Sequence, residues 1–141
     1  MTIRAQVHNQ EGRHRAVVRT EDDEHALPIA PKPSGFGSRT NGGELLFLAL
    51  ATCYCNDVYR EAARLGIDVR SVEVEVEGAF GGVGEPATNV VYRAKVTAAG
   101  ATDADVRRLL AHTDTVAEVQ NTLRAGVPVR LDGMEVEIVA G

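Results

Sequence analysis

Two thiols, Cys53 and Cys55, are the residues of this sequence best able to do covalent chemistry, and they are its only cysteines. Both lie in a stretch that reads as one helix, so at about 100° per residue their side chains point about 200° apart. A disulfide needs converging Cβ atoms, so the two thiols must be judged separately. Cys55 shares its face with Leu48, Ala51, Val58, Tyr59 and Ala62 and reads as a small buried hydrophobe. Cys53 has Leu46, Ala49 and Leu50 behind it and Asp57, Arg60 and Arg64 ahead of it, where an apolar surface turns charged. At such a pocket edge a nearby arginine favours the thiolate, the nucleophilic form, and the apolar neighbours shape a site for a greasy substrate. A purely structural cysteine is the competing reading of the same position.

The other chemistry-bearing residues read as structure. His8, His14, His25 and His112 include no pair at helical metal spacing, and no second Cys-x-x-Cys accompanies the thiols, so no metal site is expected. The Gly78 to Gly84 loop runs from strand to strand, without the helix N-terminus and following lysine of a phosphate loop. Glu73, Glu75 and Glu77 alternate with valines, as on a solvated sheet face. No cofactor is implied.

The elements that must position Cys53 follow from pattern and punctuation. Residues 2 to 20 alternate loosely around Asn9 and Gly12, predicting an N-terminal hairpin whose loop region carries Arg13, His14 and Arg15. From Glu21 onward, acidic residues and then Pro28, Pro31, Pro33, Gly35 and Gly37 predict an irregular crossover. Asn41 and Glu44 form a capping-box pattern opening the cysteine-bearing helix, which Gly66 ends. Its first half, Leu45 to Ala51, is apolar all round, as for a helix through the protein's centre or at an interface. Val72, Val74 and Val76 mark a strand that pairs through the glycine loop with Val90 to Val96, burying Tyr92, Ala94 and Val96. Thr102 or Asp103 caps a helix with Val106, Leu109 and Leu110, and a second helix from Thr113-Asp114 carries Val116, Val119 and Leu123 to a stop at Gly126. Asp132-Gly133 between Val127–Leu131 and Met134–Val139 predicts a final hairpin.

Composition narrows the partners. At 141 residues, with 44% hydrophobic and 25% charged, the chain is sized and balanced for one globular α+β domain spanning 1–141. A net charge of -5 opposes binding to a phosphate backbone, so no nucleic acid is expected. No apolar run approaches the roughly 18 residues of a membrane span, and Met1 to Gln6 begins no signal-peptide core, so the expected compartment is the cytoplasm, with reduced thiols.

The run Thr40-Asn-Gly-Gly-Glu-Leu-Leu-Phe-Leu-Ala-Leu-Ala-Thr-Cys-Tyr54, followed by Leu65-Gly-Ile-Asp-Val69 and Val72-Glu-Val-Glu-Val-Glu-Gly78, resembles the OsmC/Ohr family of thiol-dependent hydroperoxide reductases. The resemblance extends from Arg13 to Leu131 and is most specific in the cysteine-bearing helix. It implies an intertwined α+β homodimer, with antiparallel curved sheets around long central helices packed back to back. It also implies that Cys53 is the peroxidatic cysteine, attacking the distal oxygen of a hydroperoxide to become a sulfenic acid. The family's thiolate-stabilising arginine maps onto Arg13 or Arg15. Its arginine-positioning glutamate falls by strict spacing at Gly43, leaving Glu44 as the adjacent substitute.

The sequence departs from the family at the second cysteine. Ala117 stands about where that cysteine begins a later helix, and no cysteine follows Cys55. A family-type disulfide cycle is therefore impossible, and Cys53 would be a one-cysteine nucleophile recycled by an external thiol. The expected function is thus a thiol-dependent organic hydroperoxide reductase of oxidative stress, acting on a small hydrophobic peroxide. The alternative is a non-catalytic dimer of the same fold that binds a small hydrophobic ligand.

Overall fold

The turn at Glu11 and Gly12, where Gly12 takes a left-handed φ of 73°, folds β1 (Ile3–Gln10) back on β2 (Arg13–Thr20) in antiparallel register from Ile3 opposite Thr20 to Gln10 opposite Arg13. The computed structural model describes residues 1–141 and contains five strands and three helices. It extends the predicted hairpin by β3 (Asp23–Leu27), which pairs antiparallel with β2 in the region expected to be irregular. The turn into β3 rests on Glu21 at φ 50°, a conformation uncommon for a residue other than glycine, and so carries no glycine to announce it. The Glu21 amide donates to the Thr2 carbonyl at 3.0 Å, tying this turn to β1. Residues 28–41 are irregular as expected, with only an isolated bridge between Pro31 and Ser38.

Helix α1 (Gly42–Leu65) opens with the predicted capping box. The Glu44 amide donates to Asn41 Oδ1 at 2.8 Å, and the Asn41 amide donates to Glu44 Oε1 at 3.0 Å. Strands β4 (Asp68–Ala79) and β5 (Thr88–Ala99) form a two-stranded sheet. Their connection, residues 80–87, is too short for a parallel crossover, so the pair is antiparallel. The predicted alternation holds, with Val72, Val74 and Val76 half-buried and Glu73, Glu75 and Glu77 exposed.

Helix α2 (Asp103–Val116) is capped by Thr102, whose hydroxyl accepts from the Asp105 amide at 3.1 Å. Helix α3 (Glu118–Ala125) ends on Gly126 in the left-handed region. The break between them falls at Ala117, three residues later than Asp114, because Thr113 is buried in α2 and donates to the Leu109 carbonyl instead of starting a new helix. The predicted C-terminal hairpin is absent, since residues 127–141 carry no regular structure and Val129, Leu131, Val136 and Ile138 are exposed. A two-stranded ribbon whose apolar face meets nothing is marginal in water, and a strong turn dipeptide does not supply that face.

The chain divides into two compact units, Met1–Ala49 with Glu77–Val90, and Leu50–Val76 with Val91–Gly141. The first holds the β1–β2–β3 sheet and the capped start of α1. The second holds the core cluster of Tyr54, Val58, Ala62, Leu109 and Ala117, against which Cys53, Val72, Val74, Tyr92, Ala94 and Val96 pack. Cys55 is half-buried and is not among the residues packed on that cluster, unlike its predicted place in the core.

Candidate functional site around Cys53

Residues three and four apart on a helix share a face, so α1 sets Cys53 beside Asp57 one turn ahead, and Asp57 beside Arg60. The Cys53 thiol donates to Asp57 Oδ2 at 3.6 Å. The start of α3 comes in from the other side, with Glu118 Oε2 3.8 Å from the sulfur. Placement of α3 depends on Gln120, a buried amide whose Nε2 donates to the Leu50 carbonyl of α1 at 3.0 Å. Tyr54 faces the core from the next position, stacked edge-on against Tyr92 at 4.8 Å and donating to the Leu110 carbonyl at 2.7 Å. Burial and the charge of Asp114 push the Tyr54 phenol up to about 12, so it is no base at neutral pH.

Arg60 binds this acidic group together. Its Nη1 lies 3.0 Å from Asp57 Oδ1 and 3.0 Å from Glu118 Oε1, while its Nε lies 2.9 Å from Glu61 Oε2. Glu61 is a nearly buried carboxylate that also meets Arg64 and, at 2.8 Å, His112 Nε2 of α2. Hydrogen bonds from Arg60 and then His112 hold the Glu61 carboxyl below its ordinary range.

The electrostatics at the sulfur run against a resting thiolate. Burial pushes the Cys53 thiol up, and the charges of Asp57 and Glu118 push the same way, opposed by the hydrogen bond from the Val119 backbone amide. Asp57 is also raised, first by burial and then by its hydrogen bond with Glu118. Glu118 is lowered, first by its own backbone amide at the start of α3. Of the two carboxylates, Asp57 is therefore the stronger proton acceptor. Cys53 Sγ and carboxylate oxygens of Asp57 and Glu118 lie within 4.8 Å of one another and are the residues that could jointly hold a cation. The Arg60 guanidinium bridges the two carboxylates and supplies the positive charge facing them.

The sequence-predicted partners occupy other elements. Arg13 begins β2, where its carbonyl accepts from Asn9 Nδ2 at 3.3 Å, and Arg15 lies opposite His8. Neither arginine takes part in a salt bridge of the chain. Glu44 is engaged as the cap of α1. At Gly43, the family's glutamate position, a Cβ would sit 2.8 Å from Phe80 Cε2. The Phe80 ring, stacked on Phe47 at 5.8 Å, occupies the space that a side chain there would need. Ala117 is fully buried in the cluster on which Cys53 packs. The position lacking the second cysteine thus belongs to the same small region as the first.

Sequence reasoning placed Asp57 and Arg60 on the Cys53 face but missed Glu118, whose approach depends on the α2–α3 break. The Gln120 anchor carried no local sequence signal either.

The chain matches the family model described as OsmC-like protein over residues 35–132. Its backbone is similar to the OsmC-like protein from Mycoplasma pneumoniae, with a TM-score of 0.60 at 13% identity, covering 86% of this chain and 87% of that one. It is also similar to an organic hydroperoxide resistance protein OsmC from Legionella pneumophila, with a TM-score of 0.56 at 17% identity, covering 88% of this chain and 90% of that one. No curated protein matches it. A family match across most of the chain, which includes the helix that carries Cys53, shows that the protein belongs to the OsmC-like family.

Proposed function

We propose that the protein is a one-cysteine, thiol-dependent reductase of small hydrophobic hydroperoxides, with a role in oxidative stress. The observation that carries this reading is the place of Cys53. Its half-buried sulfur packs on an apolar cluster and opens toward a charged rim, on a helix that lies within the family match. The Legionella relative's description as a hydroperoxide resistance protein supports the same chemistry. Cys53 attacks the distal peroxide oxygen and becomes a sulfenic acid, and an external thiol restores it because Ala117 supplies no second sulfur. Arg13, with Arg15 as the neighbouring choice, supplies the guanidinium for the thiolate, and Glu44 steadies that arginine. The working form is a cytoplasmic homodimer. No helix is long and apolar enough to cross a membrane.

One observation favours a second reading, a non-catalytic dimer that binds a small hydrophobic ligand. The groups within hydrogen-bonding reach of the Cys53 sulfur include two carboxylates, which disfavour a standing thiolate. Cumene hydroperoxide with a sulfenic-acid trap separates the two. The peroxidase reading requires trapping in the Cys55→Ser protein and none in Cys53→Ser, whereas equal labelling of both, or labelling of neither, leaves the ligand-binding reading.

A further inference from the structure

The two carboxylates at Cys53 are divided by oxygen atom. Arg60 Nη1 takes Oδ1 of Asp57 and Oε1 of Glu118, leaving Oδ2 and Oε2 as the oxygens nearest the sulfur, at 3.6 and 3.8 Å. Each carboxylate is thereby fixed at one end and presents the other to the thiol. The Val119 backbone amide lowers the thiol's pKa, against burial and the two carboxylates, which raise it. Asp57 is buried and Glu118 exposed, so the pair extends from the sulfur to the rim.

We infer that Asp57, working with Glu118, is the proton acceptor of the Cys53 reaction and returns that proton to the departing oxygen. This rests on the peroxidase reading above. As the Cys53 sulfur bonds to the distal oxygen of a hydroperoxide, its proton passes to Asp57 Oδ2 and the O–O bond breaks. The leaving alkoxide takes a proton from the Asp57–Glu118 pair and departs as the alcohol. The distal oxygen keeps its hydrogen, so a thiol and a hydroperoxide become a sulfenic acid and an alcohol. The sulfur is oxidised and the peroxide reduced, with no proton gained or lost by the site.

An arrangement that merely raised the thiol's pKa would slow every reaction of Cys53. A positioned proton acceptor instead compensates in the one reaction whose leaving group needs a proton, typically by 10²–10⁴-fold. The charged and titratable groups facing the pair are Arg60 and, through it, Glu61 from α1, with Glu118 from α3. His112 of α2 reaches Glu61 and not the sulfur.

The test compares two reactions of the same thiol in a Cys55→Ser background near pH 7: alkylation by iodoacetamide, whose iodide leaves without a proton, and single-turnover sulfenic-acid formation from cumene hydroperoxide. Asp57→Asn is expected to raise the alkylation rate several-fold, by removing a negative charge, and to lower the peroxide rate about a hundredfold. Glu118→Gln, at an exposed side chain, is expected to split the two rates in the same sense by less, and it carries the comparison if Asp57→Asn does not fold. Both rates rising together in either folded variant would overturn the proton-acceptor role while leaving the peroxidase reading intact. A parent protein that alkylates but forms no sulfenic acid would overturn both.

Discussion

Cys53 and Glu118 are 65 positions apart in the chain, yet the sulfur of one lies 3.8 Å from a carboxylate oxygen of the other. Gln120 fastens α3 to the Leu50 carbonyl, one helical turn before Cys53, and Arg60 bridges Glu118 to the same helix. In place of a second sulfur, α3 brings a negative charge to the thiol, which adds to burial in favouring the protonated form of Cys53.

That charge has a measurable consequence. Followed by iodoacetamide alkylation across pH in the Cys55→Ser protein, Cys53 is expected to titrate above the free-thiol value of roughly 8.5. Glu118→Gln removes one negative charge and favours the thiolate, so its midpoint moves to lower pH. At a fixed pH well below the midpoint, a fall of about 0.3 in pKa is a roughly twofold gain in thiolate and hence in alkylation. A parent midpoint below the free-thiol value would refute this account of the sulfur's surroundings.

Arg13 and Arg15 lie two apart on β2 and are distinguishable by their effect on the reaction. If Arg13 is the guanidinium that steadies the anionic sulfur, Arg13→Ala slows sulfenic-acid formation about tenfold or more, the effect of raising the thiol's pKa by about one, while Arg15→Ala changes it little. The reverse order would transfer the role to Arg15. No effect from either would remove the N-terminal strand from the chemistry.

Legibility in the sequence followed the range of the interaction. The capping box at Asn41 and Glu44, the valine alternation of β4 and the Gly126 stop are local patterns, and each formed where the residues placed it. β3 escaped because its turn uses Glu21 at positive φ, a choice that tertiary pairing imposes and composition does not announce. The C-terminal hairpin was the opposite error, since Asp132-Gly133 is a strong turn signal in a segment whose apolar side meets no partner. At the site, Asp57 and Arg60 were visible because helical spacing relates them to Cys53. Glu118 was not, because its approach depends on tertiary contacts, the buried Gln120 amide and the Arg60 bridge among them.

Gly43 tests why the family's glutamate is missing. A Cβ there would meet the half-exposed Phe80 ring at 2.8 Å, so Gly43→Glu must displace that ring and is expected to destabilise by about 1 kcal/mol, the low end of overpacking costs. Phe80→Ala in the same chain removes the obstructing ring and should recover most of that loss. A double-mutant cycle by urea denaturation measures the coupling. Additive effects would show that Phe80 is not what excludes a side chain at this position.

Leu48 lies in the apolar half of α1 and is 59% exposed in the single chain. If that half of the helix is covered by a second copy, Leu48→Glu buries a charge in the interface and shifts the protein toward monomer in sedimentation equilibrium. Its melting temperature would also lose the concentration dependence expected of a dimer. A parent protein already monomeric at tens of micromolar would refute the homodimer.

Glu61 makes the acid stability of the second unit predictable. Its carboxyl is held below the ordinary range by Arg60 and His112, so its folded-state pKa is lower than its unfolded value of roughly 4.3. A carboxylate shifted in that direction stabilises fully above the unfolded value, and its contribution fades as pH falls through the lower folded one. The urea midpoint of the parent should therefore drop between about pH 5 and pH 3. In Glu61→Gln, which retains an amide oxygen to accept from Arg60 but binds no proton in this range, the drop should be smaller. Because the other acidic groups are unchanged, the difference between the two slopes isolates Glu61. Parallel slopes would mean that the Arg60–Glu61–His112 network contributes nothing to acid sensitivity.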